Sequence, residues 1–346
     1  MSSYKSEYQK LNSEQKEAVD TIEGPVMVIA GAGTGKTQTI ALRIGKILKE
    51  TQINPSNILC LTFTENAALN MRQRLLELIG ADAYGVRIAT FHAFCNSVIK
   101  DYPQYFLKST LESKAIDDIT KIEIIRSLID KLPQSSPLFN LNYPYFYQKE
   151  IISSISSLKK ENISPLRFEE LIKDAANFVL LASPLSEKLK ELRASPKSAK
   201  TIISLIKTLS SQLHPLPLYQ VRINYFLQLY ESETLTLSEI KQKTRDFIDK
   251  SSDSLIKIRD LLVIYKYYQE ELTRRGLYDY EDMILWVIVA LQTHPELLLT
   301  YQENYQYLLV DEFQDTNSSQ MEILNLLVKN QNNPNIFVVG DDDQSI

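Results

Sequence analysis

The stretch that most constrains this chain is Ala30-Gly31-Ala32-Gly33-Thr34-Gly35-Lys36-Thr37. An apolar run, Val26-Met27-Val28-Ile29, leads into it, and a helical pattern from Thr39 to Ile44 leads out. Strand, glycine-rich turn, Lys-Thr and helix is the layout of a phosphate-binding loop. The residue types follow from the chemistry. A turn tight enough to aim successive backbone N–H groups at phosphate oxygens needs glycine. The helix after it adds the positive end of its dipole. Lys36 is then placed to reach the β and γ phosphates, and the Thr37 hydroxyl to ligate Mg²⁺. Three of the nine glycines in 346 residues fall between positions 31 and 35, so chance clustering is a poor explanation. The strict loop pattern begins with glycine, and Ala30 stands there instead.

A chain of this length has room for two domains, each with its own core. The net charge of −5 and the pI of about 5.5 offer no bulk argument for nucleic acid, so any such surface is local. Cys60 and Cys95 sit far apart in apolar or helical contexts, which predicts free thiols and a reducing compartment. The first residues lack an apolar signal core, and the apolar run from Met283 to Leu291 is too short to cross a bilayer. The expectation is a cytoplasmic protein with no membrane partner.

Leu11 to Val19 predicts a helix capped by Asn12 or Ser13. Within it, Gln15 can present one donor and one acceptor to an adenine edge, and taken alone it equally suits a solvated helix face. Past the loop, Ile58 to Thr62 is a strand-length apolar run ending at Phe63, and Thr64 is placed to cap the next helix. Val86 to Thr90 is another such run, followed by Phe91 and His92. Repeated strand–helix units predict a parallel sheet, whose ligands bind beyond the carboxyl ends of the strands. Lys36, Phe63 and His92 all fall there. Alone, Phe63 reads as core and His92 as a helix cap.

From Arg87 to Arg275 there is no glycine, and apolar residues recur at helical spacing, as at Ile122, Ile125, Leu128 and Ile129. Prolines at 133, 137, 144, 165, 184, 196, 215 and 217 punctuate the run, several at positions suited to helix starts. This predicts a wholly helical insertion over about 105–265. Residues 186–208 carry a local excess of Lys and Arg. Two readings stand for it: a track for a phosphate backbone, or a solvated helix face.

The strand pattern resumes at Tyr307 to Val310, which ends in Asp311-Glu312, and again at Ile336 to Gly340. Paired acids at a strand end suit a phosphate-loop protein. Asp311 can hold Mg²⁺ opposite Thr37. Glu312 can take a proton from an attacking water. Gln344 can bond the γ-phosphate or that water and so sense which nucleotide is bound.

Together these stretches resemble the UvrD/Rep/PcrA-like superfamily 1 DNA helicases. Leu11 to Val19 resembles the adenine-reading motif, and Ala30 to Thr37 the phosphate motif, where alanine is the family's usual first residue. Leu61-Thr62-Phe63-Thr64 with Ala67-Ala68, and Thr90-Phe91-His92, resemble the two motifs that follow. Val310 to Asn317 and Val339 to Ile346 resemble the acidic motif and its successor, and Asp279 to Met283 a family segment ahead of them. The resemblance implies an α/β fold: a P-loop NTPase (RecA-like) parallel sheet with helices on both faces, plus a large all-α inserted subdomain. The sheet domain would comprise 1–104 and 266–346, and the insertion 105–265.

The resemblance also implies site roles. Gln15 would recognise adenine. Ala30, Gly31, Ala32, Gly33, Thr34, Gly35, Lys36, Thr37 and Gln38 would cradle ATP. Thr37 and Asp311 would hold Mg²⁺, Glu312 would be the catalytic base with Lys36 assisting, and Gln344 would couple the γ-phosphate to DNA. Thr62, Phe63, Thr90 and His92 would lie along single-stranded DNA, and the insertion would work against duplex DNA. The implied activity is the ATP-hydrolysing front part of a 3′-to-5′ helicase in DNA repair, with a second RecA-like domain expected downstream and repair proteins as partners. A helicase–nuclease of the RecB/AddA kind and a non-catalytic DNA-binding fragment are the alternatives. Three features depart from the family pattern: Gln38 replaces a common Arg, Asn66 replaces a frequent Lys, and the stretch between His92 and Asp311 is long.

Overall fold

The computed structural model describes residues 2–31 and 33–341. Helices α1 (Ser2–Gln9) and α2 (Ser13–Asp20) precede strand β1 (Val26–Ile29), and α3 (Lys36–Glu50) follows it. Next come β2 (Ile58–Thr62), α4 (Glu65–Ile79), β3 (Arg87–Thr90), α5 (Phe91–Asp101), the short α6 (Lys108–Leu111) and β4 (Lys114–Ala115). The glycine-free middle holds α7 (Asp118–Ile129), α8 (Gln148–Lys160), α9 (Pro165–Glu191), α10 (Ala199–Gln212), α11 (Pro217–Glu231) and α12 (Leu237–Arg275). After it come β5 (Leu277–Tyr278), α13 (Tyr280–Thr293), α14 (Pro295–Asn304), β6 (Tyr307–Val310), α15 (Ser318–Val328) and β7 (Ile336–Gly340).

The chain divides into two compact units. One comprises Met1–Ile116, Ser156–Asn162 and Arg275–Ile346, the other Asp117–Ile155 and Ile163–Arg274. The first is built on a five-stranded, wholly parallel sheet in the order β1-β7-β6-β2-β3. Strand side chains alternate between its two faces. Cys60, Leu309, Phe337 and Val339 pack with Ile40, Ile44 and Met71 in one layer. Leu59, Leu61, Leu308 and Val310 pack with Phe94, Val287 and Ile323 in the other. Burial on both faces explains why β2 and β6 read as continuous apolar runs, whereas β1, at the sheet edge, leaves Met27 and Ile29 exposed. A small parallel pair, β4 with β5, lies in the same unit.

The second unit is helical throughout, with Phe178, Ile202, Ile206, Ile223 and Ile248 among its buried core. Pro165 and Pro217 open helices, as a proline's fixed φ favours, but Pro184 lies inside α9. Within 186–208, Lys190 pairs with Glu187 at 2.7 Å, and Lys207 pairs with Glu231 at 2.9 Å. These charges belong to an exposed, ion-paired helix surface.

The unit boundaries differ from 105–265. The helical unit begins at Asp117, runs to Arg274 and gives up Ser156–Asn162 to the sheet unit. The reason is Lys159. It is fully buried, and its ammonium lies 2.8 Å from both Asp279 and Asp282 at the start of α13. Ser156 also donates to Glu281 at 2.6 Å. Cys60 and Cys95 are free and buried, and burial pushes both thiols up. No single helix among the described residues is long and apolar enough to cross a membrane.

Candidate nucleotide site

Strand order assembles the site. The late strands β6 and β7 sit between β1 and β2. Because all five strands run parallel, the residues that follow them share one sheet edge. Lys36 follows β1, Phe63 follows β2, His92 follows β3, Asp311 and Glu312 follow β6, and Asp341 follows β7. Groups nearly 300 residues apart in sequence thus meet beside the loop.

The loop itself has the backbone its sequence calls for. Gly33 and Gly35 take φ of +73° and +83°, where a Cβ would be strained. Gly35 is the N-cap of α3, so Lys36 and Thr37 begin the helix at its positive end. The Ala30 N–H donates to the Gly340 carbonyl at 2.9 Å, which ties the loop's entry to β7. The Thr34 hydroxyl donates to the Gly31 carbonyl at 2.7 Å. Gln38 donates to Glu7 of α1 at 3.1 Å. A cleft of about 840 Å³ runs from α2 along β1 to this loop, with Asn12, Gln15, Ala30, Thr34 and Lys36 among its walls. Its size suits a nucleotide. Ala32 lies outside the described residues, as does Gln344.

Gln15 uses both ends of its amide within the protein. Its Oε1 accepts from the Asn12 N–H at 3.0 Å, completing a capping box, and its Nε2 donates to the Thr34 carbonyl at 2.7 Å. In this state it braces the loop.

The Lys36 ammonium lies 3.2 Å from Glu312 Oε2 and 3.6 Å from Asp341 Oδ2. Its side chain is only 9 % exposed. Asp311 is buried, and its carboxyl is pushed up to about 6. Burial is the main cause and the neighbouring Glu312 charge adds to it, while the Glu312 N–H and Lys36 pull the other way. Glu312 has φ +51° and ψ 48°, a left-handed conformation that costs a non-glycine residue about 1 kcal/mol or more. Such strain persists only where the surroundings enforce it.

These donors suit a nucleotide-bound Mg²⁺. Among the described residues no cluster of His, Cys, Asp and Glu could hold a metal unaided. Mg²⁺ ordinarily takes one or two protein ligands and completes its shell with phosphates and water. A buried carboxylate whose charge is disfavoured, Asp311, and a helix-start hydroxyl, Thr37, match that requirement.

Further along the edge, Phe63 is 51 % exposed. His92 is half-buried, its Nε2 has no partner among the described residues, and burial lowers its pKa from the usual imidazole value. Thr62 and Thr90, expected to face DNA, are buried instead. The Thr90 hydroxyl caps α5 through the Ala93 N–H at 3.1 Å and donates to Glu65 at 2.9 Å. Thr90 therefore supports this rim, while the buried Thr62 hydroxyl has no partner among the described residues; Phe63 and, in part, His92 reach the surface. Thr64 caps α4 as expected.

The sequence reading assigned no role to three groups here. Tyr280 is 61 % exposed and stands edge-on to His92, with ring centroids 6.3 Å apart. Asp341 closes on Lys36. Gln314 bonds both Glu312 and the end of β7. All three lie in the quoted stretches, so position within a motif was the available signal. Only strand order reveals what each one touches.

The sheet, the glycine loop and the acids beside its lysine define a RecA-like P-loop nucleotide-binding domain carrying a helical insertion. A family model described as the UvrD/REP helicase N-terminal domain matches residues 11–346. The chain belongs to that family. It is 30 % identical over 336 residues to the ATP-dependent DNA helicase PcrA of Staphylococcus epidermidis and 29 % identical to that of Staphylococcus aureus. Each alignment covers 97 % of this chain and 34 % of the relative, so the chain spans about a third of the length of these curated relatives.

Proposed function

We propose that this chain is the ATP-binding and ATP-hydrolysing front part of a DNA helicase that moves 3′ to 5′ on single strands and opens duplexes. The observation that carries the reading is Lys36 held between Glu312 and Asp341 at the mouth of the glycine loop. A lysine placed this way is ready to exchange carboxylates for phosphates.

In the proposed cycle the loop N–H groups and Lys36 bind the triphosphate, and Gln15 exchanges the Thr34 carbonyl for the adenine edge. Thr37 and Asp311 hold Mg²⁺, which when bound supplies charge neutralisation at the phosphates. Glu312 takes the proton of the attacking water. Gln344 follows β7 and is the group proposed to report the γ-phosphate to DNA. Phe63 and His92, with Tyr280 beside them, offer flat faces on which bases stack without regard to sequence, as a motor requires. The second RecA-like domain is proposed to be supplied elsewhere in the full-length protein. Work in DNA repair, with repair-protein partners and in the cytoplasm, completes the proposal.

The test is steady-state ATP hydrolysis with and without single-stranded DNA, in wild type and Glu312→Gln. The expected outcome is DNA-stimulated hydrolysis that falls about 10²- to 10⁴-fold in the variant while nucleotide binding persists. Hydrolysis unchanged by Glu312→Gln would overturn the reading.

A further inference from the structure

Gln314 lies two residues beyond the proposed base, and the preceding roles leave it unused. Its Nε2 donates to Glu312 Oε2 at 2.8 Å, and its Oε1 accepts from the Asp341 N–H at 3.0 Å. The amide orientation is dictated by these partners: reversed, an oxygen would face a carboxylate and an NH₂ would face an N–H. The Asp341 N–H belongs to the same peptide unit as the Gly340 carbonyl, and that carbonyl accepts from the Ala30 N–H at 2.9 Å. The bonds form one continuous chain from the phosphate loop, through a single peptide at the end of β7 and the Gln314 amide, to the Glu312 carboxylate. Every link donates in the same direction, so each polarises the next.

Gly340 provides the clearance for this chain. A Cβ there would stand 2.9 Å from Gln314 Oε1 and 3.2 Å from the Gln314 backbone nitrogen. The close approach, not a left-handed φ, is what asks for glycine.

We propose that Gln314 is the positioning residue for Glu312 and that the Gly340–Asp341 peptide couples it to the nucleotide loop. The proposal rests on Glu312 being the base. Lys36 and Gln314 now share the same Glu312 oxygen. Once phosphates claim Lys36, the amide is the contact that remains. It orients the carboxylate without adding a counter-charge. Any displacement of the loop at Ala30 is passed through the peptide to the place where the base stands.

The experiment compares Gln314→Met, which keeps length and removes both bonds, with Gly340→Ala, which crowds the amide and leaves its chemistry intact. In the purified protein, kcat for ATP hydrolysis is expected to fall about tenfold or more in each, the scale of a lost hydrogen bond to a charged group. KM and the Kd for a non-hydrolysable ATP analogue should move less than about twofold, since Gln314 is proposed to act on Glu312 and not on the nucleotide. Without nucleotide, hydrogen exchange at the Asp341 amide should quicken in Gln314→Met. In a Glu312→Gln background, adding Gln314→Met should change the residual rate less than about twofold, because a residue acting through Glu312 has nothing left to act on. Unchanged kcat in both variants, a parallel loss of kcat and analogue affinity, or multiplying losses in the double variant would overturn the proposal. An inactive Glu312→Gln beside normal Gln314→Met and Gly340→Ala enzymes defeats the relay alone, whereas an active Glu312→Gln defeats the base and the relay together. Should Gln314→Met fail to fold, Gly340→Ala carries the same comparison.

Discussion

Replacing Lys159 with methionine removes the charge that anchors Ser156–Asn162 in the sheet unit. The ammonium is fully buried and lies 2.8 Å from both Asp279 and Asp282, themselves buried. Methionine keeps most of the packing, so the loss is electrostatic. Removing one partner of a buried ion pair costs about 3–5 kcal/mol, because the charge left behind stays out of water. Here two carboxylates share that counter-charge. A unit of this size shifts its midpoint by about 2–4 °C per kcal/mol, so Tm should fall by about 6–20 °C at pH 8. Thermal unfolding followed by circular dichroism is the assay. One control sharpens it: the loss should be largely recovered in Lys159→Met/Asp279→Asn/Asp282→Asn, whose amides keep hydrogen bonding without charge. A single variant within about 2 °C of wild type at pH 8 would refute the reasoning, since these charges would then be paired or hydrated some other way.

Phe63→Ala should weaken single-stranded DNA binding by roughly 5- to 150-fold, from the loss of about 1–3 kcal/mol of stacking, with no change in nucleotide affinity; fluorescence anisotropy with a labelled oligonucleotide checks both. Tyr4 and Tyr307 are buried, and their hydroxyls donate to the Leu42 carbonyl and to Glu23. Burial pushes both up to about 12 from 10. A raised folded-state value contributes stability that is whole below pH 10 and lost as pH climbs to 12, up to about 3 kcal/mol for each. Urea unfolding between pH 9 and 12 should therefore show a steeper fall in wild type than in Tyr4→Phe/Tyr307→Phe.

The loop, its lysine and the acid pair were legible because each is local. Glycine at 33 and 35, Lys36 at a helix start and Asp311-Glu312 at a strand end are patterns within a few residues, and the parallel sheet followed from apolar runs alternating with helices. What the sequence could not convey was neighbourhood. The placing of β6 and β7 between β1 and β2 brings Asp341 and Gln314 to the site, and no local pattern encodes it. Thr62 and Thr90, read as facing DNA, are buried because a strand's last residue can point into the core; Phe63 beyond Thr62 stands clear, whereas Phe91 beyond Thr90 is buried as well. The division at Lys159 differs from the insertion's expected bounds, because a charged residue in an amphipathic helix reads as surface until its aspartate is found 120 residues on. Gln15 illustrates a different limit: an amide suited to adenine is equally suited to a loop carbonyl, and the geometry shows the second.

Lys36 is proposed to trade carboxylates for phosphates, and a crystal structure with Mg²⁺ and a non-hydrolysable ATP analogue tests that exchange most directly. The expected result places the triphosphate in the Ala30–Thr37 loop, with the Lys36 ammonium within hydrogen-bond distance of its β and γ oxygens and withdrawn from Glu312, and with Gln314 still on the Glu312 carboxylate. A nucleotide bound elsewhere, or a Lys36 still paired with Glu312 while the loop is filled, would contradict it.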